Sequence, residues 1–193
     1  MSLSDHVHVA SRFQRSIRID TDLHNPKILE GFVCPRSSTD VLLTMAQHVV
    51  ETEHTAFTWT GPYGSGKSSL VVALSALLNG NTRLQNQAVA IVGKRVTDTL
   101  CEALPLKKKG WRILPVVGQR SVPAEVIGKA LIVNGFVKKN EVNIWTDDYV
   151  ISCLIKIATE RANVYGGLIV FLDEMGKFLE GAAQDGIDIY FFQ

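Results

Sequence analysis

Cysteine is scarce in this chain. Three residues, Cys34, Cys101 and Cys153, lie scattered and odd in number among 193. That excludes the disulfide framework of a small secreted domain and suits reduced thiols in a cytoplasm. Charge of one sign is lacking too. Twenty Lys and Arg against nineteen Asp and Glu leave a formal net charge of +1, so no strong overall field favours nucleic acid or a membrane surface. No apolar run reaches membrane-spanning length, and Met1-Ser2-Leu3-Ser4-Asp5-His6 has no basic-then-apolar leader pattern. There is no internal repeat and no low-complexity segment. His6 and His8 have no Cys or acidic cluster at ligand spacing, which sets a terminal metal site aside. What remains is an apolar-rich globular chain, 46% hydrophobic with mean hydropathy +0.13, long enough for one domain with a core.

One stretch carries chemistry of its own. Gly61-Pro62-Tyr63-Gly64-Ser65-Gly66-Lys67-Ser68 fits G-x-x-x-x-G-K-[ST], a phosphate-binding loop, a pattern that counts only between a strand and a helix. Ala56-Phe57-Thr58-Trp59-Thr60 is β-branched and aromatic and is read as the strand. Ser69 to Leu78 is read as the helix, stopped by Asn79-Gly80. The glycines let several N–H groups converge on one anion, and the helix N-terminus adds its positive dipole end. In this pattern Lys67 reaches the outer phosphates, the Ser68 hydroxyl ligates Mg²⁺, and Ser69 adds a hydroxyl toward an inner phosphate.

A second motif follows downstream. Leu168-Ile169-Val170-Phe171-Leu172-Asp173-Glu174 is an apolar strand ending in two carboxylates. Ligands of open α/β sheets sit at the carboxyl ends of strands, which would bring Asp173 to the phosphates as the Mg²⁺ carboxylate. Glu174 then stands where a catalytic base would orient and deprotonate an attacking water.

The intervening chain reads as alternating elements. Gly31-Phe32-Val33-Cys34-Pro35 leads into a helix near 39–52, with Ser37-x-x-Asp40 resembling a capping box and Leu42, Met45, Ala46 and Val49 at helical spacing. Phe32 and Val33 are candidates for core packing or for walling a base. Ala88 to Val92 reads as a strand buried on both faces. A short helix near 96–104 follows, then the basic loop Lys107-Lys108-Lys109-Gly110. Trp111 to Gly118 reads as a strand in which Pro115 requires an edge or a bulge. Ser121 and Pro123 open a helix that stops at Asn134-Gly135. Thr146-Asp147-Asp148 cap a longer one, which Gly166-Gly167 separates from the last strand.

With both motifs in hand, the chain resembles the P-loop ATPases that carry an added catalytic glutamate, and within them the AAA+ and STAND branch, on Gly31 to Ser38 and Gly61 to Ser69. The segment Asp173-Glu174-Met175-Gly176-Lys177-Phe178-Leu179-Glu180 is similar to large bacterial ATPases, including some tied to phage defence. Asp173 to Gly176 also fits the Asp-x-x-Gly of GTPases, but no Asn-Lys-x-Asp is present to read guanine. The Leu-Ser-Gly-Gly-Gln signature of transporter ATPases and the arginine-rich lid of small-molecule kinases are absent as well. The resemblance implies a three-layer α/β P-loop fold with a mostly parallel sheet, spanning 31–193 behind an N-terminal arm of 1–30. It implies ATP and Mg²⁺ as cofactors and ATP hydrolysis driving a larger assembly. A DNA-translocating motor and a non-hydrolysing nucleotide-binding scaffold are the alternatives. The family has a sensor strand and an arginine finger after the second motif, whereas this sequence ends soon after, at Gln193. The expectation is an N-terminal piece of a longer cytoplasmic protein that meets protein partners or itself. Arg12, Arg15, Arg18 and Lys107 to Lys109 leave DNA possible as a ligand, though not indicated.

Overall fold

The computed structural model describes residues 17–23, 25–142 and 144–192. His6, His8, Arg12 and Arg15 lie outside them. The stretch read as an arm contributes to the interior where it is described. Ile19, Leu23 and Leu29 are buried on a short helix, α1 (Ile19–Asp22), and a 3₁₀ turn (Pro26–Leu29). Asn25 opens that turn by accepting the Lys27 N–H at 3.1 Å.

Helix α2 (Arg36–Thr52) begins after Pro35, one turn earlier than the sequence suggested. Its N-terminus has no side-chain cap. Ser37 lies inside the first turn, and Asp40 faces Arg36 at 3.9 Å instead of closing a box. Helix α3 (Lys67–Leu78) is apolar nearly all round and is buried from Val72 to Leu78, as a helix with no polar face must be.

The run 88–92, read as a strand, belongs to helix α4 (Thr82–Val92). A short apolar run does not separate strand from buried helix by composition. Here the N-cap decides, because Asn81 accepts from the N–H groups of Arg83 and Leu84 at 2.9 and 3.4 Å. Leu84, Ala88 and Val92 then fall on one helical face and pack into the core. Gly93, at φ 88°, ends α4 and opens α5 (Lys94–Ala103), which buries Val96 and Leu100.

Strands β1 (Arg112–Val117) and β2 (Leu168–Asp173) form a parallel pair in register from Arg112 opposite Leu168 to Val117 opposite Asp173. The crossover between them carries α6 (Pro123–Val133) and α7 (Asp147–Thr159), since parallel strands cannot be joined by a tight turn. Thr146 caps α7 as expected, accepting the Tyr149 N–H at 3.3 Å. Helix α8 (Gly176–Asp185) follows β2. Pro115 fits inside β1 because of strand parity. Arg112 and Gly118 donate their N–H groups to Gly167 and Asp173, so the even positions face β2 and the nitrogen of Pro115 points away from the ladder.

The same alternation divides the side chains. Ile113, Ile169 and Phe171 pack into a cluster with α2 to α5, whereas Leu114, Val116, Leu168, Val170 and Leu172 pack into a second one with α6, α7 and α8. The chain is thus mixed α/β, with helices on both faces of a parallel sheet that has two strands among the described residues.

The expected strand 56–60 is not part of that sheet. Residues 53–62 carry no secondary structure, and the side chains of 54–60 are exposed apart from Trp59, which is half-buried. Strand propensity reflects the fit to a pleated, partly covered surface, and no described segment supplies such a surface here. Among the described residues no helix is long and apolar enough to cross a membrane, and Cys34, Cys101 and Cys153 are free thiols.

Candidate phosphate-binding site

The segment from Gly61 to Ser69 forms a turn that runs into α3. Gly64 and Gly66 adopt φ of 77° and 83°, in the left-handed region where a Cβ is costly. Gly66 is the N-cap of α3 and offers no side-chain cap. Every helix begins with orphan N–H groups. Among the described residues, those of Lys67, Ser68 and Ser69 find no acceptor; Leu70 is the first to bond back, to the Gly66 carbonyl at 2.9 Å. These unspent donors and the dipole make the start of α3 suited to an anion.

The side chains arrange around that point. Lys67 Nζ donates to the carbonyls of Gly61 and Pro62, both at 2.9 Å, and to Ser65 Oγ at 3.4 Å. The loop thus holds its own ammonium by its own oxygens, and Ser65 N–H closes the turn on the Pro62 carbonyl at 3.3 Å. Tyr63 is 93% exposed. The Ser69 hydroxyl, in the first turn, makes no hydrogen bond among the described residues.

The decisive contact joins the two motifs. Ser68 Oγ donates to Asp173 Oδ2 at 3.1 Å across 105 positions of sequence. Asp173 ends β2, and its other oxygen accepts the Glu174 N–H at 3.0 Å. The fold therefore brings the hydroxyl and the carboxylate named from sequence onto one spot. They form a hard-oxygen pair of the kind that holds Mg²⁺ by one or two protein ligands plus phosphate oxygens and waters. No group of three or more His, Cys, Asp or Glu suited to a metal occurs among the described residues.

Glu174 turns away from the strand at φ 53°, unusual for a residue with a Cβ, and its side chain is exposed. No family model matches the chain, and no curated protein or solved structure matches it. The site therefore stands on its geometry.

Sequence reasoning missed one participant. Gly118, just past β1, donates its N–H to the Asp173 carbonyl at 2.8 Å, and a Cβ there would lie 2.3 Å from the Glu174 carbonyl oxygen. The only signal was a glycine at the end of an apolar run. The Arg18 guanidinium bonds Asp20 at 2.7 and 3.2 Å. That bond first, with Asp22 and Glu174 adding charge, holds it protonated above its ordinary range. Phe32 packs on the core beside Gly66, whereas Val33 is exposed.

Proposed function

We propose that this chain is a P-loop ATPase, binding ATP with Mg²⁺ and hydrolysing it to drive conformational change in a larger cytoplasmic assembly. The observation that carries the reading is the 3.1 Å contact of Ser68 with Asp173 at the uncapped start of α3. The resemblance of Gly61 to Ser69 and of Asp173-Glu174 to the AAA+ and STAND branch supplies the fold expectation, a three-layer parallel sheet with these motifs at its carboxyl edge.

In this reading the N–H groups from Gly64 to Ser69 cradle the phosphates. Lys67 exchanges the Gly61 and Pro62 carbonyls for outer phosphate oxygens. Ser68 and Asp173 would hold the metal, which when bound would neutralise charge on the phosphate oxygens. Glu174 orients a water and takes its proton as that water attacks the terminal phosphorus, while the bond from that phosphorus to the bridging oxygen breaks and ADP leaves.

Calorimetry with ATP and Mg²⁺ tests the site. Lys67→Ala is expected to lose most of the binding, and equal affinity in both proteins would remove the assignment. Glu174→Gln is expected to keep binding and lose turnover. Binding without turnover in the unaltered protein would favour the scaffold reading.

A further inference from the structure

Folding gathers cations that the sequence keeps apart, at the end of the sheet away from the phosphate loop. The two strands begin at Arg112 and Leu168, about 17 Å from their carboxyl ends at the usual rise per residue. The segments leading into them are laced together. Lys109 N–H donates to the Val164 carbonyl at 3.0 Å, Gly166 N–H to the Gly110 carbonyl at 2.9 Å, and Arg112 N–H to the Gly167 carbonyl at 2.9 Å. Tyr165 lies at the centre. The Arg112 guanidinium carbon is 4.4 Å from its ring centroid, that of Arg161 is 5.9 Å, and Lys109 Nζ is 6.0 Å. Lys107 and Lys108 are exposed in the same turn, which the Gly110 N–H closes on the Lys107 carbonyl at 2.9 Å.

These cations lack carboxylate partners. Residues 105–112 and 160–167 contain one carboxylate, Glu160, and no ion pair among the described residues engages it or any of Lys107, Lys108, Lys109, Arg112 and Arg161. Arg112 also donates to the Ile157 carbonyl near the end of α7, a structural use that leaves the other four to solvent. Elsewhere Lys94, Arg120, Lys129 and Lys177 each have an acidic partner, whereas Arg83, Arg95 and Lys156 have none among the described residues but are not gathered around one ring. Crowding like charges around one ring is unfavourable in the free protein, and the cation–π contacts offset only part of it.

We infer that the surface formed by Lys107, Lys108, Lys109 and Arg161 around Tyr165 binds the phosphodiester backbone of nucleic acid. Its cations sit exposed on two neighbouring turns beside an aromatic ring, a combination that suits a polyanion carrying bases better than a single phosphate. A lipid surface would need an apolar face beside the charge, and the large apolar side chain exposed in the lysine turn is Leu106 alone, at 37%. The near-zero net charge conceals the patch, because acidic residues elsewhere cancel it. The inference is independent of the nucleotide site.

The test is fluorescence anisotropy of the full chain with a labelled single-stranded oligodeoxynucleotide and with its duplex, across a salt series. Reversing Lys107, Lys108 and Lys109 to Glu is expected to weaken binding by about ten-fold or more at ~0.1 M salt and to flatten the log–log salt slope by roughly 2 to 3. Arg161→Glu alone gives a smaller loss in the same direction. The control reverses Arg36, Lys94 and Lys129 to Glu, an equal change in net charge at cations paired with carboxylates outside the patch, and is expected to keep most of the affinity. Unchanged thermal unfolding shows that each variant is folded. Equal loss in the control would reduce the effect to bulk charge and overturn the inference. So would absence of oligonucleotide binding at low salt, or stronger binding to phosphatidylserine vesicles than to either oligonucleotide.

Discussion

At Gly118 one missing side chain decides how close two strand ends come. The carbonyl of Glu174 occupies the volume that a Cβ would fill, so the turn placing Asp173 and Glu174 is built against bare backbone. Gly118→Ala is expected to displace that turn and to lower hydrolysis by about ten-fold or more, since misplacement near 1 Å is costly in catalysis. Nucleotide affinity, carried by the phosphate loop, should change little, and the two are separated by measuring turnover beside calorimetric binding. Equal loss of both would mean that the change unfolds the strand ends. The thiols give a second expectation at this scale. Burial pushes the Cys34 thiol up, and burial followed by the Asp98 charge does the same for Cys101. The folded chain therefore keeps protons that the unfolded chain releases above about pH 8.5. The corresponding stability is complete below that pH and falls as pH rises through the higher folded values. Alkylation of both thiols should run slower than that of free cysteine at pH 8 and should keep accelerating at pH values where free cysteine has levelled off. Rates matching free cysteine throughout would show that burial does not control them.

Among the elements, legibility followed the kind of signal. The meeting of Ser68 with Asp173 was legible, because each lies in a motif that fixes residue types at fixed spacing, and the fold brings the two together. β2 and α7 were readable too, from an apolar run ended by carboxylates and from Thr146 as cap. The segments 56–60 and 88–92 were not, because five apolar or β-branched residues state burial without stating the partner. For 88–92 the information lay upstream, in Asn81, whose side chain spends itself on two N–H groups of α4. Asn81→Ala is expected to destabilise the protein by about 1 kcal/mol, whereas Asn81→Asp should cost little. Thermal unfolding of the two variants decides it, and an unaltered midpoint in the alanine variant would show that packing alone fixes the helix. The segment 56–60 could not be resolved from sequence, since a strand needs a neighbour and the sequence does not name one. The segment carries no secondary structure and its backbone has no hydrogen-bonded partner among the described residues, and unpaired backbone invites pairing between chains. Self-association rising with concentration is therefore expected in light scattering, and Thr58→Pro, which removes a donor, should reduce it. An unchanged association would place the contact elsewhere.

For the whole molecule the distribution of cations sets how well the proposed chemistry can run. Phosphoryl transfer relies on positive charge around the terminal phosphate as much as on a base. Three cations among the described residues are candidates for that charge. Lys67 is folded onto its own loop and is free to exchange carbonyls for phosphate. Arg18, whose charge is felt by Glu174, is held on Asp20. Arg120, just past β1, is held by Asp185 of α8 with contacts at 2.9 and 3.1 Å. Each arginine thus spends its charge on a neighbouring carboxylate and not on a ligand. An arginine acting on the transferred phosphate is worth 10³ to 10⁵ in rate in related chemistry. The expected outcome is tight nucleotide binding with turnover below about 10⁻² per second for this chain alone, near the level of phosphate-loop enzymes working without an external arginine. Steady-state phosphate release measured over a range of protein concentrations checks this. Turnover per site that rises with concentration would mean that a second copy or a bound partner completes the charge. Turnover of about 1 per second or faster in dilute protein would show that Lys67, the metal and Glu174 suffice as arranged, and the claim that the two arginines are withheld from the site would fail.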